Sequence, residues 1–166
     1  ALDIVEKVSG ESEINTIGYC LGGTLQACML SYLQSKGDNR VKASTFFTTL
    51  INFQHPGELE VFIDEQQIKN LERRMSRKGY LEGKMLANTF NMLRANDLIW
   101  SYYVNNYLMG QEPIPFDILY WNSDSTNLPA KMQSFYLRNM YQKNLLVKNG
   151  GISLNGVPVD LKKVKT

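Results

Sequence analysis

The residues with the clearest chemical meaning are Gly18-Tyr19-Cys20-Leu21-Gly22-Gly23. They follow the G-x-S-x-G pattern of a nucleophile elbow, with cysteine in place of serine. The chemistry this suggests is attack by sulfur on a carbonyl carbon. Such a nucleophile must stand on a sharp turn, clear of the elements on either side. Small residues two before and two after it let a strand and a helix approach closely. A helix beginning behind Cys20 turns its N–H groups and positive dipole end toward the sulfur, which favours thiolate over thiol. The backbone N–H of Leu21 is then positioned to be an oxyanion donor.

The flanking elements fit this role. Ile14 to Tyr19 (INTIGY) is short, apolar and β-branched, and reads as a buried strand. Gly22 to Lys36 reads as a helix, with Leu25, Met29, Leu30 and Leu33 recurring at helical steps and Gly37 as its stop. Val41 to Leu50 (VKASTFFTTL) is a second strand. Strand, helix and strand at this spacing predict a parallel βαβ unit. A cysteine in a tight βα turn also fits a small core residue, so the pattern leaves both readings open. Cys28, inside the helix and without special neighbours, reads as core.

His55 is the only histidine. The elbow scheme orders nucleophile, acid, then histidine, and only Asp38 lies between Cys20 and His55. His55 therefore reads as a loop residue before Pro56. One His and two Cys disfavour an ordinary closed zinc site. Two Cys in 166 residues make no disulfide framework, so a reducing, cytosolic setting is expected. Residues AVILMFWYC make up 43% and charged residues 20%, which argues against disorder. The formal charge of +2 is too balanced to suggest nucleic acid or a membrane surface by electrostatics alone. Leu98 to Gln111 leans apolar but is too short to span a bilayer, and no signal peptide is visible.

Beyond the βαβ unit, Ala1 to Val8 reads as a helix, followed by a turn at Ser9 to Ser12. After Pro56-Gly57 the pattern becomes helical: Glu65 to Lys78 with Ile68, Leu71 and Met75 on one face, Lys84 to Arg94, Asp97 to Met109, and Pro129 to Lys143. The last places Met132, Phe135, Tyr136 and Met140 on one stripe. The cationic run within Glu65 to Lys78 reads as a solvated face. Of 18 aromatic residues, 11 lie between Phe90 and Tyr141, so this middle segment is either a core of its own or a lid. Asn155-Gly156 joins Ile152–Leu154 to Val157–Val159 as a hairpin, and Val164 to Thr166 reads as the approach to another strand.

Five blocks together resemble the poly(3-hydroxyalkanoate) polymerase (polyhydroxybutyrate synthase) family. They are Tyr19-Cys20-Leu21-Gly22-Gly23-Thr24-Leu25, Thr45-Phe46-Phe47-Thr48-Thr49-Leu50, Arg94-Ala95-Asn96-Asp97-Leu98-Ile99-Trp100, Phe116-Asp117-Ile118-Leu119-Tyr120-Trp121-Asn122-Ser123-Asp124 and Phe135-Tyr136-Leu137-Arg138-Asn139-Met140-Tyr141. The resemblance runs through nearly the whole chain in order, and the later blocks are far more specific than the elbow.

The resemblance implies an α/β protein: a partial α/β-hydrolase fold whose βαβ elbow unit carries a mostly helical cap insertion. Residues 1–55 would be core, 56–149 cap and 150–166 a return hairpin to the core. It implies an acyltransferase that polymerises 3-hydroxyacyl-coenzyme A into polyhydroxyalkanoate, with coenzyme A released. Cys20 would be the nucleophile and hold the acyl chain as a thioester. Gly18, Gly22 and Gly23 would form the elbow, and Tyr120, Trp121 and Asn122 would line the substrate channel. The family's base His and its Asp follow the hairpin, beyond Thr166, so the 166 residues alone are expected to be inactive. No metal and no cofactor is implied, and no nucleic acid or transmembrane segment. A homodimer through the cap is implied, in the cytoplasm or at the polymer granule surface.

Two other readings remain. A Cys-dependent α/β hydrolase of the dienelactone-hydrolase type shares the G-x-C-x-G elbow, but would return to strand–helix alternation after Pro56. A non-catalytic domain binding a polymer inclusion or a partner protein would suit the aromatic middle.

Overall fold

The computed structural model describes residues 1–113, 115, 117 and 124–166. They divide into two compact units, one formed by Ala1–Pro56 with Arg138–Thr166 and the other by Gly57–Leu137.

In the first unit, helix α1 (Leu2–Ser9) ends at Gly10, whose φ of 75° turns its N–H onto the Glu6 carbonyl at 2.8 Å. Strand β1 (Ile14–Tyr19) runs into helix α2 (Leu21–Ser35), and strand β2 (Val41–Phe47) follows. The two strands pair in parallel from Ile14 opposite Val41 to Tyr19 opposite Phe47, with one register shift between Ile14 and Asn15. This is the βαβ unit the sequence predicts. Gly37, at φ 72°, stops α2 as expected. Arg40 bridges Asp3 (2.7 Å), Glu6 (2.9 Å) and Asp38 (2.7 Å), so a single guanidinium links α1 to the start of β2.

The return segment closes onto α2. Asn155 (φ 48°) and Gly156 (φ 77°) make the two-residue turn between β5 (Ser153–Leu154) and β6 (Val157–Pro158). Both central residues have positive φ, as a right-twisted hairpin requires. Just beyond, the buried Ser31 hydroxyl accepts from the Asp160 N–H (2.8 Å) and donates to the Asp160 carbonyl (3.2 Å). Phe53, Leu146, Ile152 and Val159 are almost fully buried in this unit. Asn144 holds the Phe53 N–H through its Oδ1 at 2.9 Å, and Phe53 meets the Tyr141 ring edge-on with centroids 4.8 Å apart.

The second unit is helical. Helix α3 (Glu65–Lys78) starts at Asp64, whose carboxylate accepts from the Gln67 N–H at 2.7 Å, and stops at Gly79 with φ 80°. Ile68 and Met75 bury the predicted face. The two-residue strands β3 (Tyr80–Leu81) and β4 (Leu128–Pro129) pair antiparallel, with helix α4 (Gly83–Leu93) after β3 and α5 (Ala130–Phe135) after β4. Gly83 is required where it stands, since a Cβ there would lie 2.6 Å from the Ser125 Cβ.

The structure departs from the sequence reading in several places. Strand β1 is not buried throughout: Ile17 is 72% exposed and only Gly18 is buried, because α2 covers one face of the pair and leaves the other open. Strand β2 stops at Phe47 rather than Leu50, since Thr48 turns to a φ of 44°. The face α2 buries is Thr24, Gln26, Ala27, Cys28, Leu30 and Ser31, whereas Leu25 is exposed. It is a small-residue face with a polar component, which a search for large apolar residues misses. Residues 138–149 group with the first unit. The helix after α4 has wide π-helical turns at Asn96–Trp100 and Tyr103–Leu108, and so does Tyr136–Gln142. Within and just after α5, Gln133 and Leu137 are buried while Met132 and Phe135 are more than a third exposed, so the buried face keeps helical spacing but lies one to two residues on from the predicted one. Met140 is buried as expected. Val164 to Thr166 form no strand.

Candidate functional site

Cys20 sits at the corner between β1 and α2 with φ 51° and ψ −120°, a conformation sparsely populated by residues with a side chain. Such a residue costs about 1–3 kcal/mol and persists only where its surroundings over-determine it. Those surroundings are visible here. The Cys20 N–H donates to the Phe47 carbonyl at 2.9 Å, which fixes the corner to the end of β2. The Cys20 carbonyl accepts from Gly23 (3.0 Å) and Thr24 (3.3 Å) and so starts the helix. The thiol is exposed, and among the described residues it has no hydrogen-bond partner.

Close approach between strand and helix is made by Gly18 and Gly23. A Cβ on Gly18 would lie 2.5 Å from the Gly23 Cα. A Cβ on Gly23 would lie 1.9 Å from Thr49 Oγ1. Gly22 differs from the expectation, because the space where its Cβ would stand is open. The residue that must be small on the helix side is therefore three after the cysteine.

Three polar contacts hold this corner, and none was evident in the sequence. Thr24 Oγ1 donates to the Leu50 carbonyl at 2.7 Å, and Gln26 Nε2 donates to the Thr45 carbonyl at 3.2 Å. Thr49 Oγ1 donates at 3.1 Å to the Phe47 carbonyl, the same oxygen that holds the Cys20 N–H. Thr24 and Gln26 are buried polar residues, so their hydrogen bonds avoid a desolvation cost. A Thr-rich strand end reads as β-propensity from sequence, and nothing in it signals that Thr48 turns out of the strand.

The N–H groups of Leu21 and Gly22, in the first turn of α2, have no backbone acceptor among the described residues. They are two of the donors a helix start leaves open. Cys28, one helical turn on from Thr24, is buried, and desolvation pushes its thiol up to about 11 despite a backbone hydrogen bond. The two cysteines are thus sharply distinguished, one exposed on a strained corner and one enclosed and neutral.

His55 lies in the exposed loop after β2, with no hydrogen bond to Cys20 among the described residues. Asp38 is taken by Arg40, whose side-chain hydrogen bond holds the carboxyl below the usual carboxylate range. Neither joins Cys20 in a hydrogen-bonded set among the described residues. Tyr120, Trp121 and Asn122 lie outside the described residues. In the second unit, Trp100, Tyr103 and Tyr107 are exposed. Trp100 meets Tyr103 edge-on at 6.0 Å and Tyr103 stacks on Tyr107 at 5.2 Å. Among the described residues, no helix is long and apolar enough to cross a membrane.

The alpha/beta hydrolase fold family model matches residues 2–154. Relatives match this chain almost from end to end. The chain is 56% identical to the poly(3-hydroxyalkanoate) polymerase subunit PhaC of Rhizobium meliloti (strain 1021), over 99% of this chain and 27% of that protein. It is 54% identical to the poly(3-hydroxyalkanoate) polymerase of Methylorubrum extorquens, with the same two shares covered. It is 41% identical to the poly(3-hydroxyalkanoate) polymerase subunit PhaC of Cupriavidus necator, over 99% of this chain and 29% of that protein. The chain thus spans between a quarter and a third of the length of these curated relatives.

Proposed function

Because the chain belongs to the alpha/beta hydrolase fold family, we propose that it is the nucleophile-bearing segment of an acyltransferase that polymerises 3-hydroxyacyl-coenzyme A. The observation that carries this reading is the exposed, strained Cys20 between strand and helix, in a sequence 56% identical to a polymerase subunit. The first unit is read as part of the hydrolase core and the helical unit, 57–137, as its cap.

In the proposed reaction the Cys20 sulfur attacks the carbonyl carbon of the substrate thioester. A new S–C bond forms, the bond to the coenzyme A sulfur breaks, and coenzyme A leaves carrying the proton that Cys20 gave up. The acyl group then passes to the hydroxyl of a growing polyester or of a second acyl unit. Exchange between two thioesters is nearly balanced in energy, so the enzyme-bound acyl group stays reactive toward that hydroxyl. The Leu21 N–H supplies one oxyanion donor. In this reading His55, a loop residue with no hydrogen bond to Cys20 among the described residues, is not the proton acceptor. That task and the orienting carboxylate belong to an Asp–His pair outside these 166 residues. The reaction needs no metal or organic cofactor.

The aromatic residues of the second unit, with Tyr120, Trp121 and Asn122, form the wall of the polyester path in this reading. The same unit carries association into a homodimer, and the enzyme works in the cytoplasm or at the granule surface. The dienelactone-hydrolase reading is disfavoured by the long helical unit after Pro56. The non-catalytic reading is disfavoured by the exposure and strain of Cys20.

The test is acyl capture. A full-length polymerase carrying this segment is incubated with 3-hydroxybutyryl-coenzyme A, quenched in acid and digested with trypsin. The peptide spanning Val8–Lys36 is expected to carry a hydroxybutyryl unit on Cys20. An adduct on Cys28, or none on this peptide while coenzyme A is released, would overturn the assignment.

A further inference from the structure

The second unit carries a cleft of about 360 Å³ that the polymerisation chemistry does not use. It is lined by the C-terminal half of α3 and by the chain that follows it to Met85. Its cations are Arg73, Arg74, Arg77 and Lys78, against Glu82 as the one carboxylate. Lys78 pairs with Glu82, which holds the lysine above its usual range. Arg73, Arg74 and Arg77 have no carboxylate partner among the described residues, and all three are exposed. The cleft also has an apolar side: Met75 and Leu81 are buried beneath it and Tyr80 stands half-exposed at its edge.

Three guanidinium groups beside one another repel unless an anion sits among them. The whole chain carries a formal charge of only +2, so this excess is local. Arginine forks match phosphate oxygens in pairs, with a geometry lysine lacks. An apolar floor beside such forks suits an anion attached to an organic group better than a bare ion. From this we infer that the cleft binds a phosphate ester, with the phosphate held by Arg73, Arg74 and Arg77 and its organic part against Tyr80, Leu81 and Met85. The inference stands apart from the role of Cys20 and survives if that role is wrong. The phosphate can belong to a soluble nucleotide-like molecule or to an anionic lipid headgroup.

A full-length polymerase carrying this segment is titrated with ADP, with inorganic pyrophosphate and with phosphatidylcholine vesicles containing phosphatidylglycerol, at low and moderate salt. Saturable binding is expected to ADP, more tightly than to pyrophosphate, or to the anionic vesicles, weakened about tenfold or more in the Arg73→Gln/Arg77→Gln double variant. Pyrophosphate bound as tightly as ADP, with no vesicle binding, would overturn the organic-phosphate assignment. Lys69→Gln, on the same helix but outside the cleft, should bind within about twofold of the parent. Both variants change exposed side chains, and unchanged circular dichroism verifies that the fold is kept. Binding of ADP more tightly than pyrophosphate assigns a soluble organic phosphate, and binding of the anionic vesicles alone assigns a lipid headgroup. Binding to none of the probes, or equal weakening by Lys69→Gln, would overturn the inference.

Discussion

Thr49 lies against Gly23 so closely that a Cβ on the glycine would come within 1.9 Å of Thr49 Oγ1. The contact joins the first turn of α2 to the chain leaving β2, and Cys20 stands between them. Gly23→Ala must push Thr49 aside, and with it the Phe47 carbonyl that Thr49 shares with the Cys20 N–H. We expect a loss of about 1–3 kcal/mol in urea unfolding. Gly23→Ala/Thr49→Ala should recover part of it, because Oγ1 and Cγ2 are removed while the Cβ at position 49, 2.8 Å from the added methyl, stays. Equal losses in the single and double variants would contradict this packing.

The two cysteines should differ in reactivity. At pH 7.5, iodoacetamide should modify Cys20 at least about 100-fold faster than Cys28, whose labelling needs the helix to open. Peptide mapping reads the two sites separately, and similar rates would contradict the structure. The buried thiol also has an alkaline signature. Its folded-state pKa is raised to about 11, so its contribution is intact below the ordinary thiol range and is lost as pH rises toward 11. In Cys28→Ala, thermal stability should fall less steeply between pH 9 and 11 than in the parent.

The Arg40 bridge predicts an acid-side effect. Hydrogen bonding to Arg40 depresses the Asp38 carboxyl, so this contribution is present above the ordinary carboxylate pKa of about 4 and is lost as pH falls through the lower folded value. Arg40→Gln should lower the melting temperature by a constant amount between pH 5 and 8. Below about pH 4 the gap to the parent should close. A gap that widens in acid would show that the pairing with Asp3, Glu6 and Asp38 is not what the arginine contributes.

His55 should be dispensable for turnover. In a full-length polymerase carrying this segment, His55→Ala should leave coenzyme A release within about twofold of the parent, as an exposed loop substitution does. A drop of tenfold or more would bring His55 into the reaction and overturn the proton-transfer scheme.

Much of this molecule was legible in its residues. INTIGY formed strand β1 with the predicted bounds, and Gly37 and Gly79 stopped their helices with positive φ. Asn155-Gly156 made the hairpin turn. These are local signals, in which a residue type and a backbone conformation are tied by sterics. Two supports of the corner, from Thr24 and Gln26, were not legible because they are side chain-to-backbone bonds over long separations. Nothing in the spacing of Thr24 and Gln26 tells which carbonyls they will meet on β2 and beyond. The face buried by α5 was misplaced for a different reason: the polar Gln133 is buried while the apolar Met132 and Phe135 are more than a third exposed, so apolarity alone pointed to the wrong side of the helix.

The most direct measurement of the central claim is coenzyme A release from 3-hydroxybutyryl-coenzyme A by a full-length polymerase carrying this segment, in three forms: parent, Cys20→Ala and Cys28→Ala. Cys20→Ala should lose on the order of 10⁴-fold or more in turnover, because a nucleophile has no substitute once removed. Cys28→Ala should keep its rate within about threefold of the parent at 25 °C, since that thiol only packs. Substantial turnover in folded Cys20→Ala protein would contradict the account.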